Sequence, residues 1–126
     1  MKYIYFKLLF ISLILFAGCN YESPDSQEYT WKPLKVGGGG WVVGMYIHPA
    51  EPGLKYVRTD VSGAYRWDAV SNEWKQIVTT SGMPDEYVKY ADYDGVCSLV
   101  GALNNPDIAY MAFRNQIFRS TDRGET

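Results

Sequence analysis

Three kinds of reactive side chain stand out in this chain: a carboxylate at a strand-to-strand turn, two thiols and a single imidazole. The carboxylate is Asp60, in "KYVRTDVSGAYRWD" from Lys55 to Asp68, which reads as a strand, a turn and a second strand. An uncharged residue would serve to open that turn. An Asp there either caps the turn by accepting backbone N–H bonds or stands at a strand end with its charge available to a ligand. His48 ends the apolar run "WVVGMYIHP". One imidazole without a Cys/His cluster does not make a zinc site, so His48 reads as a strand-end residue, and no metal or other cofactor is expected. Cys97 lies in "GVCSLVGAL", an apolar run of strand character with no His near it in sequence. Its expected role is buried packing, not nucleophilic chemistry.

The other thiol, Cys19, belongs to a different context. In "MKYIYFKLLFISLILFAGC", Lys2 and Lys7 precede an apolar run from Leu8 to Ala17, then small residues, then Cys19. The run is shorter than the roughly twenty residues a bilayer span needs, and it suits the apolar region of a secretory signal. "FAGC" resembles the lipobox of bacterial lipoproteins, in which the Cys becomes the lipidated first residue of the mature chain; Phe16 stands where Leu is more usual. An anchor with several acyl chains holds where a single chain is marginal. Asn20 resembles the residue that follows the Cys in lipoproteins sent to an outer membrane, so the expected location is the outer membrane or the cell surface. The expected organisation is a signal peptide over residues 1–18, a polar tether over 19–29 and folded chain over 30–126.

These groups must be positioned by about a hundred foldable residues, one small domain or a piece of a larger one. A net charge of −2 with acids and bases interspersed gives no basic footprint for a phosphate backbone, which argues against nucleic acid. Aromatic residues make up 16% of the chain and suit strands on a pleated surface. Short strands are expected over Trp41 to Ile47, Tyr56 to Thr59, Ala64 to Trp67 and Trp74 to Val78, separated by "HPAEPG", "DVSG" and "DAVSN". No helical period survives past the leader. "EPGLKYVRTDVSGAYRW" realigns on "NPDIAYMAFRNQIFRS", with Pro52 over Pro106, Tyr56 over Tyr110 and Tyr65-Arg66 over Phe118-Arg119. Four strands in a period of roughly 54 residues predict an all-β fold, a β-propeller of which about two blades are present.

The last residues, "RSTDRGET", carry a second signal. Ser120, Asp122, Gly124 and Thr126 match the Ser-x-Asp-x-Gly-x-Thr pattern of the Asp-box, a turn between the third and fourth strands of certain propeller blades. There the Asp side chain bonds nearby N–H groups and the Gly takes a backbone conformation barred to most residues. Asp122 is therefore expected to be structural. The motif normally runs on into a Trp that starts the fourth strand, the place Trp74 holds in the first repeat, so the protein is expected to continue beyond Thr126.

"WKPLKVGGGGWVVGMYIHPAEPGLKYVRTDVSGAYRWDAVSNEWKQI" resembles the start of the mature xyloglucanases of glycoside hydrolase family 74. Those are endo-acting or reducing-end-specific β-glucanases built from two seven-bladed propellers. The resemblance is close over Trp31 to Ile77 and loose from Val78 to Tyr93. Where the family usually has Trp-Gly-(Val/Ile)-Asp-Ser, this chain has "YDGVCS", with Cys97 at the Asp position.

In an up-and-down antiparallel blade, successive connections alternate between the two ends of the sheet. Gly37 to Gly40, Asp60 to Gly63 and the link from Thr79 to Asp94 therefore share one rim, with the Asp-box turns at the other. Glycines such as Gly39 and Gly40 let a bulky ligand approach the backbone. The resemblance implies that Asp60 is the general base of an inverting mechanism, taking a proton from water while a second carboxylic acid protonates the leaving oxygen. In the resembled enzymes that acid comes from the other propeller. Asp85, Glu86, Asp92 and Asp94 lie on the same rim and are read as solvated. Trp41 by stacking and Arg58 by hydrogen bonding are candidate sugar contacts. Two functions follow: a lipid-anchored hydrolase of a branched β-glucan such as xyloglucan, or a non-catalytic surface propeller that binds glycan or protein.

Overall fold

Short runs rich in β-branched and aromatic residues set the strands of the computed structural model, which describes residues 30–89 and 93–126. Strands β1 (Val42–Ile47), β2 (Lys55–Thr59), β3 (Ala64–Asp68) and β4 (Glu73–Gln76) form one sheet in chain order, each antiparallel to the next. They fall where the sequence predicts them to within two residues. Short turns between them leave no other pairing open. The third connection is closed by Asp68, whose carboxylate accepts from the Val70 N–H at 3.0 Å and the Ser71 hydroxyl at 2.9 Å. Lys75, 2.5 Å away, and then these two bonds hold Asp68 well below the usual carboxylate range.

A second sheet, β5 (Ser98–Ala102), β6 (Asn105–Phe113) and β7 (Gln116–Ser120), repeats the pattern with three strands. The internal repeat recurs in register. Tyr56 pairs with Arg66 and Val57 with Tyr65 in the first sheet, as Tyr110 pairs with Arg119 and Met111 with Phe118 in the second.

The two sheets face each other across the main core. Leu54, Tyr56, Ala64, Ile77 and Val78 meet Val96, Leu99, Ala109, Met111 and Phe113 there, with Tyr46 and Phe118 packed at the margin. The far face of the first sheet buries Val57, Tyr65 and Trp74, with Trp67 against Trp74 edge-to-face at 5.4 Å and Val36 of the preceding strap packed on them. Val43, Met45 and Ile47 stay exposed, as do Val100, Tyr110 and Ile117 on the far face of the second sheet. Tyr56 is buried and its repeat partner Tyr110 is not, because only Tyr56 has a described sheet over it.

Two features depart from the sequence reading. The link between the sheets contains a single helical turn, α1 (Asp85–Val88), too short to give a helical period. Arg114 closes it by donating through Nη1 to the carbonyls of Glu86, Tyr87 and Lys89 at 3.2, 3.2 and 3.0 Å. Cys97 is exposed, whereas the buried residue is its neighbour Val96. Val96 donates its N–H to the Thr59 carbonyl at 3.2 Å and so turns its side chain into the core, which leaves Cys97 facing out.

Candidate functional site

Asp60 follows β2 directly, at the rim where three segments meet. Thr59 holds the turn closed, its N–H and Oγ1 both donating to the Gly63 carbonyl at 3.0 and 2.8 Å. The strap before β1 crosses the turn through a reciprocal pair: the Asp60 N–H donates to the Trp41 carbonyl at 3.0 Å, and the Trp41 N–H donates to Asp60 Oδ1 at 2.6 Å. Gly39 lies against Ser62, whose Oγ would stand 2.9 Å from a Cβ built at that glycine. Gly40 has φ +80°, and a Cβ there would fall 2.6 Å from Asp60 Oδ1. From the other side comes the end of the link, where Gly95 bridges Gly63 in parallel fashion. A Cβ at Gly95 would sit 2.2 Å from the Asp60 carbonyl oxygen, so only glycine fits this approach. Nothing in the local sequence marks Gly95; it is a tertiary neighbour of the turn.

Among the described residues, no hydrogen bond reaches Asp60 Oδ2. That oxygen is a free acceptor at an exposed rim. Trp41, whose backbone N–H holds Oδ1, is 81% exposed, its ring open for stacking on a planar or pyranose face. Arg58 turns inward instead. Its guanidinium lies across Gly44, where a Cβ would meet Nε at 2.6 Å, and Nη1 donates to the Val96 carbonyl at 3.1 Å, binding one sheet to the next. Asp94 on the same rim pairs with Arg114 at 2.9 Å. Cys19 lies outside the described residues.

The opposite end carries the Ser120–Thr126 turn. Ser120 Oγ donates to Asp122 Oδ1 at 2.6 Å and accepts from the Gly124 N–H at 2.8 Å. Asp122 Oδ1 also accepts from the Glu125 and Thr126 N–H groups, both at 3.0 Å, and Thr126 Oγ1 donates to Oδ2 at 2.5 Å. Gly124 supplies φ +89°. The hydroxyls of Ser120 and Thr126, then the Thr126 N–H, hold the Asp122 carboxyl well below its usual range. With each of these bonds directed into its own turn, Asp122 has a structural role. Arg123 fastens this turn to the first sheet through Glu51 at 2.6 Å and reaches Asp107 at 2.7 Å, while Arg66 pairs with Glu125. The Tyr56 hydroxyl donates to the Arg123 carbonyl at 3.2 Å; burial pushes this phenol up to about 12 despite the nearby Arg66 and Arg123.

His48 fills a larger role at this end than that of a strand-end residue. It is fully buried, its Nδ1 accepts from the Ala50 and Glu51 N–H groups at 3.2 and 3.1 Å, and Nε2 lies 3.0 Å from the Ala102 carbonyl. Those partners require Nδ1 to be the acceptor and Nε2–H the donor. The imidazole is thus spent on the backbone of both sheets, with no nitrogen left for a metal.

Stacked antiparallel sheets with a carboxylate exposed at the strand ends define part of a β-propeller, and comparison with solved structures bears this out. The enzyme of glycoside hydrolase family 74 from Niastella koreensis superposes with TM-score 0.56 at 36% identity, over 71% of this chain and 13% of that one. The family 74 xyloglucanase from Xanthomonas campestris does so with TM-score 0.57 at 36% identity, over 78% and 14%. In sequence, a xyloglucanase of a Paenibacillus species is 37% identical over 116 residues, 83% of this chain and 11% of that protein. An oligoxyloglucan-reducing end-specific xyloglucanase of Emericella nidulans is 33% identical over 110 residues, 80% of this chain and 13% of that protein. No protein-family model matches the chain. These curated relatives are thus named xyloglucanases and the structural neighbours are enzymes of family 74, and the chain spans 11–13% of the length of the curated relatives it matches.

Proposed function

We propose that the chain is the N-terminal part of a glycoside hydrolase of family 74 that cleaves xyloglucan, a branched β-1,4-glucan, by inversion. The observation that carries this reading is the Asp60 carboxylate, held by one oxygen on the Trp41 N–H and open at the other. Asp60 takes a proton from water through Oδ2 as the water oxygen bonds to the anomeric carbon. The glycosidic C–O bond breaks on the opposite face, and a carboxylic acid from elsewhere in the protein gives its proton to the leaving oxygen. Trp41 stacks on a glucosyl ring, and Gly39 lets the sugar chain lie close to the backbone. The Ser120–Thr126 turn is an Asp-box whose task is to hold the blade. Release of new reducing ends from xyloglucan by the full-length protein tests the reading. Saturable binding to the polysaccharide without hydrolysis would move it to a non-catalytic propeller that binds glycan or protein. That second reading draws on Cys97, which replaces the Asp of the resembled family.

The leader belongs to the same proposal. Cys19 is the lipid attachment site, the acyl anchor holds the protein in the bacterial outer membrane or at the cell surface, and the tether carries the propeller clear of the lipid. Replacing Cys19 with Ala is expected to abolish fatty-acid labelling in a bacterial host and leave uncleaved precursor. Labelling equal to the unmodified protein would exclude Cys19 as the anchor.

A further inference from the structure

We infer that the Gly40–Trp41 peptide is the element that positions Asp60, so that Gly40 acts on the reaction through the carboxylate and not through the sugar. This rests on the reading of Asp60 as the general base. Its ground is geometric. The Trp41 N–H takes Oδ1 at 2.6 Å while the Asp60 N–H returns a bond to the Trp41 carbonyl at 3.0 Å, which fixes both ends of the residue. A carboxylate bound by one oxygen is oriented and still has the other for water; bound by both, it would be a cap, as Asp122 is. The pair forms because Gly40 adopts φ +80° and carries no Cβ, which would stand 2.6 Å from Oδ1 and 2.8 Å from the Val61 carbonyl oxygen. The Val61 Cγ2 would be met as well, at 2.7 Å. Any side chain at position 40 must therefore displace the oxygen or the strap.

Gly40→Ala in the full-length protein is expected to lower kcat on xyloglucan oligosaccharides by at least ~10-fold, since small misplacements of a reacting group cost this much or more. KM should stay within about twofold, because binding elsewhere is untouched. A residue acting through Asp60 has nothing further to act on once the base is gone, so Gly40→Ala added to Asp60→Asn should leave the residual rate unchanged. Three outcomes overturn the inference: unchanged kcat, a rise in KM alone, or the same fold loss in both backgrounds. Near-normal turnover by Asp60→Asn alone would instead remove the base reading, and the inference with it. If Gly40→Ala does not fold, deuterium uptake at the Trp41 amide decides. It should be faster in Asp60→Ala than in Asp60→Asn, which keeps an acceptor oxygen, and equal uptake overturns the inference.

Discussion

Asp60→Asn is expected to lower xyloglucan turnover by the full-length protein at least ~10²-fold, the lower end of what a positioned general base contributes. The structure makes asparagine a clean probe. Its amide oxygen can still accept the Trp41 N–H that now bonds Oδ1 at 2.6 Å, so the turn, the strap and the exposed Trp41 ring should keep their places. What is lost is the ability of Oδ2 to take a proton. Sugar binding should survive, and the thermal midpoint should move little. A fall in kcat with KM held would mark an interaction made only in the transition state. If Asp60 merely caps its turn, Asn does the same work and turnover stays near that of the unmodified protein.

The second large effect is expected at His48, through stability. A leucine at this buried position would fill much of the volume but leave the Ala50 and Glu51 N–H groups without their acceptor and the Ala102 carbonyl without its donor. An unsatisfied buried polar group costs about 1–3 kcal/mol, and water reaches Ala50, so a total of about 2–4 kcal/mol is expected for His48→Leu. Asn can replace Nδ1 as acceptor, and Gln can reach Ala102 in place of Nε2, so each should recover part of the loss. Denaturant unfolding of the full-length protein reads this directly. A leucine variant as stable as the parent would show that the three bonds contribute nothing net.

How much of this was legible in the sequence depended on range. The strands and turns are local, written in short strand-like runs at close spacing with turn residues such as Asp, Gly and Pro between them, and they fell where expected. The repeat was also legible, because "EPGLKYVRTDVSGAYRW" and "NPDIAYMAFRNQIFRS" carry the same cross-strand pairs, seen as Tyr56 with Arg66 and Tyr110 with Arg119. The bonds of the Ser120–Thr126 turn span at most four residues, within reach of a motif. The bonds that place Asp60, Arg58 and His48 are long-range. Trp41 is 19 residues from Asp60 in sequence, the Val96 carbonyl that takes Arg58 lies 38 residues from it, and Ala102 lies 54 from His48. Each joins a side chain to a backbone group, and any residue type could stand at the backbone end. Gly95 was silent for the same reason, since its role is only to lack a side chain next to Asp60. Cys97 misled because an apolar run does not say which of two neighbours turns inward, and the Val96 N–H bond to Thr59 decides that.

The claim that Asp60 activates water in a single displacement has a stereochemical signature. Proton NMR of xyloglucan hydrolysis by the full-length protein in heavy water, recorded before mutarotation, shows which anomer of the new reducing end forms first. Inversion at a β-linkage predicts the α-anomer, appearing at once and then equilibrating. The β-anomer as first product would mean retention through a glycosyl-enzyme intermediate, and would contradict the role given to Asp60.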